Sequence, residues 1–303
     1  MTEKSFKDKT LILVVGVHKA ATTSFYEYLT NQEEIFTPSI KELHFFTPLV
    51  YNSNVELNIN KYLKYFENTT KKHILDVSPS YFYGGNVIID EIRKYTDRVK
   101  IVLILRDPTE RFISFYKQGI KTGRIKNKMS LSAYFEQCKI EHSKYLENKI
   151  HYDTFTNRGL REGCYSLYIN EWLTNFKENL HIIFFEDLVK DSKEEMDIFA
   201  ESANLKLNLN QVSFEAVNVS RKPRSQFLGK IKSKLFRQNE SFLRKNKKLK
   251  DFLKKLYNSI NTTEYKKEAY IEEKLKISEF YEQYNKKLVN ILTNKAEKIK
   301  KWK

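Results

Sequence analysis

Lys19, Thr22, Thr23 and Ser24 fall within one stretch of six residues. An ammonium, a row of hydroxyls and the backbone N–H groups of a short loop together suit a phosphate-type anion. The residues around them read LILVVGVHKAATTSFYEYL, an apolar run, a glycine, then a helix start. A strand, a glycine turn and a helix N-terminus form the usual framework of such a site. The nucleoside-triphosphate pattern G-x-x-x-x-G-K-[ST] is nevertheless missing. Counting from Gly16, Ala21 stands at the second glycine and Thr22 at the lysine, while the lysine has moved forward to Lys19. A second candidate lies in IVLILRDPTERFISFYK. Arg106 leaves the end of an apolar run, where an unpaired guanidinium is costly. Ser114 follows eight residues on, two helical turns away on the same face, so both could fork onto a second phosphate. Asp107 is expected to brace the turn, and Arg111 to reach solvent or a local carboxylate.

Elements that would position these groups are legible as four buried strands at residues 11–17, 73–77, 99–105 and 181–185. Helical patterns at 22–31, 86–95, 108–120 and 187–203 follow them, with Pro108 in a first turn and Asp187 as a cap. Strand–helix alternation predicts an α/β fold with a central parallel sheet between two layers of helices. In such sheets ligands gather beyond the carboxyl ends of the strands, where Gly16, Asp76 and Arg106 all fall. Residues 122–157 read as a polar insertion on the acceptor side, with a helix near 130–146. Apolar residues recur at helical spacing from Phe227 (Leu228, Ile231, Leu235; Leu249, Phe252, Leu253, Leu256, Ile260), and 278–302 reads as another helix. The expected division is an α/β core over 1–226 and a basic helical region over 227–303 packing on it.

Charge separates the same two regions. The net charge is +16. Residues 1–220 carry 29 Lys/Arg and 29 Asp/Glu, and residues 221–303 carry 25 against 9. The basic region suits a membrane surface, an acidic polymer or a plain solvated face; it contains no nucleic-acid motif. No apolar run approaches the roughly 20 residues of a bilayer span. Cys138 and Cys164 lack metal-ligand spacing, and a cytoplasmic location is expected.

Set in order, these motifs resemble the sulfotransferases that use 3′-phosphoadenylyl sulfate, in particular bacterial members and the heparan sulfate branch. Gly16-Val-His-Lys-Ala-Ala-Thr-Thr-Ser is similar to the family's 5′-phosphosulfate loop, and Arg106-Asp-Pro-x-x-Arg-x-x-Ser-x-Tyr to its 3′-phosphate motif. Lys41-Glu-Leu-His-Phe-Phe, Asp76-Val-Ser-Pro-Ser-Tyr-Phe, Gly163-Cys-Tyr165…Trp172, Phe185-Glu-Asp-Leu188 and Phe280-Tyr-Glu-Gln-Tyr-Asn…Trp302 continue the likeness along nearly the whole chain. The resemblance implies a P-loop-like fold and transfer of a sulfuryl group to a hydroxyl or amine, on a carbohydrate or glycolipid. It implies adenosine 3′,5′-bisphosphate as product and no metal. Lys19 would stabilise the leaving phosphate together with Ala20, Ala21, Thr22, Thr23 and Ser24. Arg106, Ser114, Arg221 and Lys222 would hold the 3′-phosphate, with Arg224 nearby. Glu42 would be the base, with His44 the competing candidate, since alternate residues of an extended segment point the same way. Lys41 would assist acceptor binding or stand as a surface lysine. Tyr165 would pack in a helical core or near the adenosine. Ala21 replaces a glycine common in the family, which a right-handed turn would tolerate. Val77 stands where heparan sulfate enzymes often carry a lysine. Two other classes remain: a small-molecule kinase, which would need its lysine directly before the hydroxyls, and a binding module for membrane or nucleic acid built on the basic region.

Overall fold

Apolar runs rich in Val, Ile and Leu have no polar face to show to water, so they are stable as strands covered on both sides. In the computed structural model, four of them and one two-residue strand form one parallel sheet. The structure describes residues 6–51, 55–147, 154–212 and 270–302, with 214, 221–223, 253 and 262–264. Strand β1 (Thr10–Gly16) leads through a loop to helix α1 (Thr22–Leu29). A two-residue strand β2 (Ile35–Phe36) and helices α2 (Thr47–Tyr51) and α3 (Ile59–Leu63) precede β3 (His73–Val77). Then come α4 (Gly85–Arg93), β4 (Val99–Leu105) and α5 (Pro108–Thr122). Helices α6 (Leu131–Leu146), α7 (Phe155–Arg161) and α8 (Ile169–Phe176) lead to β5 (Leu180–Phe184).

The order across the sheet is β2-β3-β1-β4-β5, and every neighbouring pair is parallel. β1 therefore lies at the centre with β3 and β4 on either side. The tips that follow Gly16, Val77 and Leu105 open side by side, as the strand-end argument requires. Leu11 to Val15 and Ile101 to Leu105 are fully or almost fully buried, and the core continues into Phe25, Tyr81, Phe82, Trp172 and Phe199. The four predicted strands are present, with β1 and β5 starting one residue earlier than expected. β2 is too short to leave a periodic signal.

The helix predicted over 187–203 is two helices, α9 (Phe185–Lys190) and α10 (Ser192–Ser202). Asp191 rather than Asp187 is the cap: it leaves helical geometry, and its carboxylate accepts from the Glu194 amide at 2.9 Å. In the insertion, Ser130 caps α6 by accepting from the Ala133 amide at 3.1 Å. Short strands β6 (Arg221–Pro223) and β7 (Thr262–Glu264) pair antiparallel. The helical pattern expected between 227 and 260 lies outside the described residues, apart from a helical Leu253. The predicted helix 278–302 begins earlier, as α11 (Ile271–Ile291), and breaks before α12 (Ala296–Lys300).

Contacts divide the chain into two units. The first comprises 1–111, 164–217 and 281–303 and contains the whole parallel sheet; the second comprises 112–163 and 218–280. The units interleave in sequence, whereas the sequence reading cut the chain once at 226/227. Among the described residues no helix is long and apolar enough to cross a membrane.

Candidate active site

The loop from β1 to α1 begins at a glycine for a steric reason. A Cβ on Gly16 would come within 3.0 Å of both Leu103 Cδ1 on β4 and the Phe82 Cβ. Lys19 (φ 73°) and Ala21 (φ 60°) then take left-handed backbone conformations. This corrects the expected right-handed turn at Ala21. The position is one that glycine occupies without strain, and alanine there costs about 1–2 kcal/mol. Ala21 is also the cap position of α1 and has no side-chain acceptor to offer. The first amides of α1 are therefore left for an outside acceptor. Thr22 and Ala20 are buried, and Thr23, Ser24 and Lys19 half-buried.

Arg106 reaches back across the tips of β1 and β4. Its Nη1 donates to the Lys19 carbonyl at 2.7 Å, and its guanidinium lies 4.1 Å from the centre of the Phe185 ring. Its Nε is buried with no hydrogen-bond partner among the described residues. Burial lowers the Arg106 pKa, against the pull of nearby Glu110, Glu186 and Asp107, but an arginine stays charged. A buried charged donor without an acceptor is unfavourable, and an anionic oxygen would relieve it. The backbone here is braced: Tyr165, buried, donates from its hydroxyl to the Arg106 carbonyl at 2.8 Å. Tyr165 is thus a core side chain that also fixes the arginine. Asp107, expected to brace the turn, accepts from the Thr109 amide at 2.8 Å at the start of α5; burial raises its pKa to about 6. Arg111 departs from expectation. It is wholly buried and hydrogen-bonded to Tyr281, because its position on α5 faces inward.

Glu42 and His44 meet, but by a different route from the extended one expected. Both are left-handed, with φ of 61° and 52°, and the chain bends at Lys41 and again at Phe45–Phe46, so the segment makes an irregular turn rather than a strand. The turn brings Glu42 Oε2 to 3.3 Å from His44 Nε2, and Glu42 Oε1 accepts from Lys41 Nζ. Burial pushes the Glu42 carboxyl up, yet the His44 bond and the Lys41 charge outweigh it and hold the group far below the usual carboxylate range. Glu42 is thus held in its charged form, and His18 of the β1–α1 loop is among the groups that favour that charge. Lys41, left open between acceptor binding and a bystander role, is bound to that carboxylate.

The remaining predicted residues are positioned as follows. Ser114 is half-buried on α5 and belongs to the second unit. Arg221 and Lys222 pair through their backbone with Glu264 and Thr263 in the second unit, and their side chains lie outside the described residues, as does Arg224. Sequence reasoning missed His18 as a neighbour of Glu42. It also missed the hydroxyls that surround Asp76. An acid followed by Ser, Ser and Tyr at the end of a strand was the available signal. Among the described residues no group of His, Cys, Asp and Glu is arranged to hold a metal ion.

Comparison with known proteins places these features in a family. A family model described as a sulfotransferase domain matches residues 9–276. Heparan sulfate glucosamine 3-O-sulfotransferase 5 of Mus musculus is 26% identical over 201 residues, covering 66% of this chain and 54% of that protein. Membrane-associated sulfotransferase kil1 of Dictyostelium discoideum is 30% identical over 142 residues, covering 46% and 29%. The chain thus spans about half the length, or less, of these relatives. A sulfotransferase crystal structure from Alicyclobacillus acidocaldarius aligns over 70% of this chain and 87% of its own, with a TM-score of 0.57 at 18% identity. At that identity the likeness is one of fold.

Proposed function

The chain belongs to the sulfotransferase domain family, and from that premise we propose that it transfers a sulfuryl group from 3′-phosphoadenylyl sulfate to a hydroxyl or amine of a carbohydrate. The observation that carries this reading is the clasp between Arg106 and the Lys19 carbonyl. It joins two cationic loops at neighbouring strand tips, as a donor with phosphates at two separate positions requires. Glu42, whose charge His18 of the β1–α1 loop helps to stabilise, supplies the group a transfer needs in addition to binding.

In this mechanism the acceptor oxygen or nitrogen forms a bond to sulfur while the bond from sulfur to the 5′-phosphate oxygen breaks. The acceptor proton passes to Glu42, and the electron pair leaves on the phosphate as adenosine 3′,5′-bisphosphate. Lys19 and the first amides of α1 neutralise the charge that develops on that phosphate. Thr22, Thr23 and Ser24 add hydroxyl donors, and Arg106 holds the 3′-phosphate. Ser114, Arg221 and Lys222 are candidates for phosphate binding by family position alone. A carboxylate clamped by Lys41 and His44 is a weak base, so an acceptor that displaces the Lys41 ammonium also raises the basicity of Glu42.

Carbohydrate is the acceptor class supported by the relatives' names. The test is incubation with radiolabelled donor and a panel of heparan sulfate, unsulfated heparosan and uncharged oligosaccharides, beside calorimetry with adenosine 3′,5′-bisphosphate. Labelled glycan and micromolar nucleotide binding are expected. Binding of ADP with Mg²⁺ in place of the bisphosphate would sink the proposal in favour of a kinase.

A further inference from the structure

Asp76, wholly buried on β3, has no part in the roles assigned above. Its carboxylate accepts three hydroxyls: Ser78 Oγ at 2.7 Å, Tyr81 OH at 3.1 Å and Tyr62 OH at 3.1 Å. Two of these hydroxyls are acceptors in their turn. Ser78 Oγ receives the His44 amide at 3.1 Å, and Tyr81 OH receives the Phe46 amide at 3.2 Å. A hydroxyl has a single proton. Once that proton is committed to a carboxylate, its lone pairs are aimed away and fit an incoming N–H. Asp76 thereby sets the direction of both relays. Ser78 is itself fixed, since its amide donates to the Val14 carbonyl of the central strand at 3.1 Å.

We propose that Asp76 is a positioning residue for the Glu42–His44 turn, orienting the Ser78 and Tyr81 hydroxyls that hold the amides of His44 and Phe46. The proposal builds on the reading of Glu42 as the base. The turn needs such support: two of its residues carry a Cβ in left-handed conformation, a state that persists only where the surroundings over-determine it. Its side chains are tied from the same direction. Thr47 Oγ1 lies 2.6 Å from Ser80 Oγ and 3.2 Å from His44 Nδ1. Tyr62 serves as an internal control. It donates to the same carboxylate and stacks on Phe45, with ring centres 4.9 Å apart, but its hydroxyl receives neither turn amide.

Amide hydrogen exchange at His44 and Phe46 reads the relays directly and needs no acceptor, so it stands apart from the sulfotransferase reading. Exchange in the full chain is expected to quicken at least tenfold at His44 in Ser78→Ala, at Phe46 in Tyr81→Phe, and at both in Asp76→Asn. Tyr62→Phe should leave both within twofold. Transfer of labelled sulfate to heparan sulfate, where that acceptor is used, should fall at least tenfold in kcat for the three relay variants, with KM for the donor within twofold and Tyr62→Phe near wild type. If Asp76→Asn fails to fold, the two relay variants decide. Unchanged exchange at both amides in the folded relay variants, or equal acceleration in Tyr62→Phe, overturns the proposal. Altered exchange without transfer in the wild-type protein overturns only the choice of heparan sulfate as acceptor.

Discussion

Glu42 carries its charge at neutral pH because His44 and Lys41 outweigh the burial that would otherwise neutralise it. Replacing it by glutamine removes the proton acceptor but keeps the side-chain shape. Glu42→Gln is expected to bind adenosine 3′,5′-bisphosphate within twofold of wild type and to lose at least a hundredfold in transfer; full transfer would dismiss Glu42 as the base. Asp76 behaves in the opposite sense. Burial raises its pKa to about 6, against the three hydroxyls that hold it down. Its ordinary value is near 4, so its contribution favours folding below about pH 4 and is lost as pH rises through about 6. The loss by pH 8 is about 3 kcal/mol. Asp107 titrates in the same window, so the comparison must be with a variant. Between pH 4.5 and 8, urea stability of wild type should fall relative to Asp76→Asn by about 2 kcal/mol. Parallel curves for the two proteins would show that Asp76 does not titrate there. Motif and spacing made Glu42 and His44 legible as a pair, but not the turn that joins them. Positive φ at residues bearing a Cβ is imposed by tertiary bonds, and nothing in KELHFF announces it.

Elements were legible where one periodicity held over several residues. Strands β3 and β4 match the predicted spans residue for residue, since strands buried over nearly their whole length leave little polar alternative. Breaks were harder to read. The 187–203 pattern continues through Asp191, and only the competition between helix continuation and a side-chain cap splits it. The β1–α1 loop contains the same kind of hidden fact at Ala21, whose left-handed state follows from the path between Gly16 and α1. Glycine removes that strain, at a small cost to folding because it gives the unfolded chain more conformational entropy. Ala21→Gly is expected to raise stability by about 1 kcal/mol in urea denaturation, with nucleotide affinity held within threefold. A loss of stability of that size would mean that residue 21 is right-handed after all.

Across the first unit, the chain returns to the site after a long excursion. Trp302 packs edge-on to Tyr165, with centres 6.0 Å apart, and tilted against Phe184 of β5 at 5.7 Å. Lys298 on the same segment pairs with Asp187 and lies 5.5 Å from the Phe184 ring centre. Tyr165 in turn holds the Arg106 carbonyl, so residues distant in sequence meet at one arginine. The closing motif suggested membership of a family, but sequence could not say that its tryptophan supports the brace of Arg106. Trp302→Ala should lower stability by roughly 2 kcal/mol, less than full burial would give because the indole is partly exposed. A purely structural tryptophan would stop there. If it also secures Arg106, affinity for adenosine 3′,5′-bisphosphate should fall severalfold while affinity for adenosine 5′-monophosphate, which lacks the 3′-phosphate, stays level. Tyr165→Phe, which deletes only the hydroxyl, should repeat that selective loss with a smaller cost in stability, about 1 kcal/mol. Calorimetry with the two nucleotides on both variants separates the cases: equal weakening for both ligands would reduce the tryptophan and the tyrosine to packing alone.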